Sequence, residues 1–104
     1  MSWSVLVPVV VLAGFARVAW AHTPICDCYD NGDDTITCEG GFSDGGAAVG
    51  VPLRVLDATG KVLIDGAMGE RSDFTFPKPK GAFRVEFDGG AGHVITIDGR
   101  DIEE

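Results

Sequence analysis

The stretch His22–Gly46, HTPICDCYDNGDDTITCEGGFSDGG, holds all three cysteines of the chain, six acidic residues and one of its two histidines, with no lysine or arginine. Thiolate, imidazole and carboxylate are the side chains that ligate metal ions. A mixed nitrogen–sulfur set suits nickel, copper or zinc better than hard cations. The same cysteines, in an oxidising compartment, would pair into a disulfide instead. Two chemistries therefore compete for one segment: a metal site, or a disulfide-pinned acidic hairpin.

The residues before it set the compartment. MSWSVLVPVVVLAGFARVAWA, residues 1–21, carries an apolar stretch from Val5 to Ala16 and closes on Ala19-Trp20-Ala21. That small-x-small ending predicts a signal peptide cleaved after Ala21, with His22 as the first mature residue. Its n-region lacks Lys and Arg, which departs from the usual pattern. A membrane anchor fits less well, because twelve apolar residues, ended by Arg17, fall short of the ~20 needed to span. The expectation is a periplasmic or otherwise exported protein whose mature part, residues 22–104, is a single domain.

Cleavage there would give His22 two donors, its free α-amine and its imidazole. Thiolates of Cys26, Cys28 or Cys38 would complete a mixed site. The familiar amino-terminal copper/nickel motif needs histidine at the third mature position, which Pro24 occupies, so that mode is excluded. His93 shares strand parity with Ile95 and Ile97 and reads first as a histidine at a strand entry. It joins the candidate ligands His22, Cys26, Cys28 and Cys38 only if the first segment folds onto the last turn.

Hairpin register governs the cysteines. Ile25–Tyr29 and Thr35–Glu39 flank Asp30-Asn31-Gly32-Asp33-Asp34, a hairpin signal because Asn-Gly accepts positive φ readily. A three-residue loop, Asn31–Asp33, would pair Cys26 with Cys38 and set all three cysteines on one face. A two-residue Asn-Gly loop would turn Cys38 to the opposite face. Cys26–Cys38 fits cross-strand geometry, and closing that loop stabilises by roughly 3 kcal/mol in the chain-entropy model. Cys28–Cys38 stays open, Cys26–Cys28 would be strained, and every pairing leaves one odd thiol.

Other chemistries find less support. With Gly32 as the sixth residue of an EF-type loop, Tyr29 and Cys38 fall where oxygen ligands are required. Asp30, Asp33 and Asp34 read as a solvated turn. Cys-Asp-Cys has one intervening residue, not the two of thioredoxin-like motifs. The sequence supplies no orienting third group for a thiol nucleophile, and the glycine clusters follow no strand-to-helix pattern for nucleotide binding. A histidine-brace copper monooxygenase would require a second, properly placed histidine. The expectation is a protein that is not an enzyme. The chain has 8 basic and 16 acidic residues, and losing Arg17 with the signal deepens the imbalance. Such a surface repels nucleic acid and anionic membrane and attracts cations.

The rest of the text is β-like, with short alternating runs and no helical period. Gly40–Gly50 reads as a loop. Val51–Leu56 and Lys61–Asp65 flank the turn Asp57–Gly60. Pro77-Lys78-Pro79-Lys80-Gly81 ends the run Ser72–Phe76, since neither proline can donate to a ladder. Phe83, Val85 and Phe87 alternate with Arg84, Glu86 and Asp88, as in a half-buried strand. Residues 93–98 form the last strand. Seven strands with one apolar face each predict an all-β, antiparallel sandwich.

GVPLRVLDATGKVLIDG and SDFTFPKPKGAFRVEF, within Gly50–Phe87 and about a third of the chain, resemble the carboxypeptidase regulatory-like family of prealbumin-like β-sandwiches. Phe83 stands where that family more often has tyrosine. The resemblance implies a non-catalytic accessory domain. The N-terminal His22, CDCYDNGD, TCEGGFSDG and FDGGAGH are similar to small exported proteins that accompany energy-coupling-factor nickel and cobalt transporters. That second resemblance implies a nickel or cobalt cargo, with copper and zinc still open, and membrane transporter subunits as partners. The alternative is a structural β-sandwich module that docks on a partner protein and binds no metal.

Overall fold

A computed structural model describes residues 22–90 and 92–104; the expected signal peptide, residues 1–21, lies outside them. Among the described residues seven strands form: β1 (Pro24–Asp30), β2 (Thr35–Phe42), β3 (Pro52–Asp57), β4 (Val62–Ala67), β5 (Asp73–Pro77), β6 (Phe83–Asp88) and β7 (Val94–Asp98). A 3-10 turn, Gly99–Asp101, follows β7. The strands make two antiparallel sheets, ordered β1-β2-β5 and β4-β3-β6-β7. The fold is the expected all-β sandwich.

Alternation builds its core. Phe83, Val85 and Phe87 are buried on β6 while Arg84 and Glu86 between them are half-buried. Leu53 and Val55 do the same on β3, and Ile36, Cys38 and Phe76 close the cluster from the other sheet. Leu53, Val55, Val85, Phe87, Ile36 and Cys38 have no exposed surface. Burial of such a side chain stabilises by roughly 1.5–3 kcal/mol. Across the two sheets, Phe76 meets Phe83 edge-on with ring centroids 6.4 Å apart, a favoured arrangement of aromatic quadrupoles.

The strand β2 runs three residues past the expected Glu39, to Phe42, through a glycine pair that reads locally as loop. Packing overrides propensity here. A Cβ on Gly40 would stand 2.7 Å from the Phe87 ring, so the bare backbone is what lets the ring seat. The Gly40–Gly50 passage is accordingly not all loop: Gly41 also forms a bridge with Ala47.

Candidate functional site

The β1–β2 hairpin turns one residue later than the three-residue loop first expected. Asn31 N–H donates to the Thr35 carbonyl at 3.0 Å, so the loop is Gly32-Asp33-Asp34. Side chains fix this choice. Asp30 Oδ1 accepts from Gly32 N–H, Asn31 Nδ2 donates to Thr35 and Thr37 hydroxyls, and Asp33 Oδ1 accepts from Thr35 N–H. Asp34 takes the left-handed position at φ 70°, which aspartate tolerates better than most residues. Moving the loop by one residue shifts the pairing by two, so facing is preserved. All three cysteines share the inward face, as the three-residue loop predicts.

Their partners differ from that expectation. Cys26 stands opposite Gly40, and Cys28 stands opposite Cys38. The disulfide is therefore Cys28–Cys38 rather than Cys26–Cys38. Cys26 is the free thiol and is buried. Burial first, and the nearby Asp27 carboxylate second, push its pKa up to about 12. A thiol that keeps its proton is a poor ligand and a poor nucleophile at neutral pH. In the oxidised chain, then, Cys28 and Cys38 are consumed by each other and Cys26 is withdrawn between the sheets.

His22 is placed quite differently. Its ring lies flat on Phe42, with centroids 4.2 Å apart and planes within 4°, and Nδ1 is 2.8 Å from Asp44 Oδ2. The turn after β2 presents that carboxylate. Gly45 N–H donates to the Phe42 carbonyl, and Phe42 N–H donates to the Gly46 carbonyl. Gly45 supplies the positive φ of 89°, the pattern of a three-residue hairpin loop closed by a left-handed glycine. Asp44 Oδ1 accepts from Gly46 N–H at 2.9 Å, which leaves Oδ2 aimed at the imidazole. The His22 hydrogen bond, helped by the Gly46 N–H, holds the Asp44 carboxyl below its ordinary value. The imidazole itself remains 60% exposed and accessible to a solute.

Pro24 packs on the β6–β7 turn, its Cβ occupying the place where a Gly89 side chain would point. The first strand thus does fold onto the last turn, as a site including His93 would need. His93 is exposed beside that turn, and its backbone closes it through the Gly89 N–H to His93 carbonyl bond of 2.9 Å. Among the described residues no three His, Cys, Asp or Glu side chains converge as metal ligands. Asp44, which sequence reasoning did not single out, is the side chain that His22 meets. Its signal was the Ser-Asp-Gly-Gly turn chemistry, twenty-two positions from its partner.

Two further features lie away from this end. On the outer face of the three-stranded sheet, register sets Asp27, Glu39 and Asp73 in one row. Beside it Tyr29 donates to Glu39 Oε2 at 3.1 Å, which raises the phenol pKa. At the opposite end, a cleft of about 440 Å³ is lined by Asp57, Phe83, Arg84, Asp98 and Arg100. Its arginines are already engaged, Arg100 with Asp98 at 3.0 Å and Arg84 with Glu86 at 3.4 Å.

No protein-family model matches this chain, and no curated protein or solved structure matches it either. No helix among the described residues is long and apolar enough to cross a membrane.

Proposed function

We propose that this chain is an exported, non-enzymatic β-sandwich accessory protein that captures nickel or cobalt and assists its uptake by a membrane transporter. The observation that carries the reading is His22: an exposed imidazole at the expected mature N-terminus, held in a fixed orientation by Phe42 and Asp44. An excess of acidic over basic residues, 16 against 8, supports it by raising the local concentration of cations. The Cys28–Cys38 disulfide supports the exported location, because such bonds persist in oxidising compartments.

The same disulfide also favours a second reading, a structural module that docks on a partner protein and binds no specific metal. In that case the hairpin is pinned for shape alone. Native mass spectrometry of the exported protein, titrated with nickel, cobalt, copper and zinc, separates the two. A mature chain starting at His22 that takes up one ion tightly is the expected result. A disulfide-bonded chain that takes up no stoichiometric metal moves the conclusion to the docking module.

A further inference from the structure

The Nδ1···Oδ2 separation at His22 and Asp44 has the dimension of two neighbouring ligands on one metal ion. Two bonds of about 2.1 Å at a right angle set their donor atoms about 3.0 Å apart, and a tetrahedral angle sets them about 3.4 Å apart. The observed separation is 2.8 Å, nearer to the right-angled case. A cation in place of the hydrogen-bonded proton would sit to one side of the Nδ1···Oδ2 line, so the two side chains would keep about their present separation and turn to aim their lone pairs at it. The ring is already immobilised by stacking on Phe42, and the carboxylate by Gly46 N–H, so little conformational entropy remains to be lost on binding.

A third donor follows from the chain's chemistry. If His22 begins the mature protein, its α-amine and its own Nδ1 close a six-membered chelate ring, and Nδ1 is the ring nitrogen that faces Asp44. The backbone N–H of Thr23 is committed to Ser43 Oγ at 3.1 Å, and Pro24 has no N–H to ionise. The donor set is therefore amine, imidazole and carboxylate, with no peptide nitrogen and no sulfur.

We infer that His22 and Asp44 form a three-donor divalent-cation site at the start of β1, made of the His22 α-amine, His22 Nδ1 and Asp44 Oδ2. It rests on the reading of the chain as a metal-capture protein and names the ligands, which replace the cysteines in that role. Nitrogen and oxygen donors at right angles suit square or octahedral ions such as copper(II), nickel(II) and cobalt(II) better than tetrahedral zinc. The exposure of both side chains, 60% for His22 and 36% for Asp44, leaves an ion there open to exchange, as suits one that is handed on rather than kept.

The test uses the oxidised protein beginning at His22, titrated with nickel and copper chlorides by calorimetry. The comparison variants are Asp44→Asn, His22→Ala, and a form retaining Ala21 so that the amine is blocked in a peptide bond. One equivalent should bind to the mature protein, with affinity at least tenfold weaker in all three variants at unchanged circular dichroism. The copper form should show hyperfine coupling to two nitrogens. Wild-type affinity in Asp44→Asn or in the Ala21-retaining form overturns the site while leaving metal capture standing. An absence of binding by the mature protein itself overturns both.

Discussion

Cys28 on β1 lies directly opposite Cys38 on β2, and the disulfide between them faces the core rather than solvent. Cross-linking two residues 10 apart restricts the unfolded chain by about 3 kcal/mol. In a domain this small, that is a large fraction of net stability. Replacing both residues, Cys28→Ala with Cys38→Ala, should lower the urea midpoint by about 2–3 M at an m-value near ~1 kcal/mol/M. Thiol quantitation on the unreduced protein supplies a second check. Cys26 is buried with its pKa pushed up to about 12, so no thiol should react at neutral pH while folded and one should react in urea.

Gly40 and Phe87 are the second decisive pair. A methyl group on Gly40 would stand 2.7 Å and 2.9 Å from two ring carbons of Phe87 and 3.1 Å from the Met68 methyl. Phe87 is fully buried, so the ring has nowhere to retreat. Gly40→Ala should destabilise by about 1–3 kcal/mol through overpacking, despite the higher strand propensity of alanine. Gly81→Ala is the control, since a Cβ there meets nothing within 4 Å. Chemical denaturation of the two variants side by side decides whether close approach is the cause.

That glycine also marks the limit of what the sequence could disclose. The strand alternation of Phe83, Val85 and Phe87 is a local pattern, and the structure repeats it. The turn at Asp57–Gly60 is likewise local, since Asp57 Oδ1 accepts from Thr59 and Lys61 N–H groups within four residues. Gly40 reads as loop because its reason for being in a strand, Phe87, lies far along the chain. The cysteine pairing was hidden for a related cause. A three-residue loop puts the three cysteines on one face and a two-residue loop does not, and which of them meets Cys38 turns on whether the three-residue loop begins at Asn31 or Gly32. His22 was legible as a candidate from its place after Ala19-Trp20-Ala21. Its partner Asp44 was not, because their meeting depends on the β2 turn.

Lys78 and Asp30 tie the Pro77–Pro79 segment to the hairpin, with Nζ 2.7 Å from Oδ2. The Lys78 hydrogen bond, with Gly32 N–H, holds the Asp30 carboxyl below its ordinary value. Hydrogen bonding to Asp30, with the charges of Asp30, Asp34 and Glu104, holds Lys78 above its own. For the depressed carboxyl, the stabilisation is complete above the unfolded value of about 3.9 and is lost as pH falls through the folded value. For the raised ammonium, it is complete below about 10.4 and is lost as pH rises through the folded value. Lys78→Met should therefore flatten the stability profile at both its acid and alkaline edges and leave its shape near neutrality unchanged. Thermal melts from pH 2 to 11 read this directly, and identical profiles would show the pair to be inert.

Among the described residues two that are not glycine occupy the left-handed region, Asp34 at φ 70° and Ser72 at φ 59°, and substitution by glycine should move the stability in opposite directions. The Asp34 contact that matters is made by its backbone: its carbonyl accepts from Lys78 N–H at 2.8 Å, which glycine retains. Its side chain is exposed and sits in a run of carboxylates. Asp34→Gly relieves the steric strain and removes a like charge beside Asp33, while losing a screened attraction to Lys78, so it should stabilise by about 0.5–1 kcal/mol, less that attraction and the entropy of a freer unfolded chain. Ser72 has the same backbone strain but a working side chain, because Oγ accepts from Ala48 N–H at 2.9 Å and Ala48 is fully buried. Ser72→Gly leaves that buried donor unpaired, a loss of about 1–3 kcal/mol, which outweighs the relief. Urea titration of both variants at one pH should give midpoints on either side of the parent's. A stabilised Ser72→Gly would mean that the 43–51 connection rearranges to satisfy Ala48 some other way.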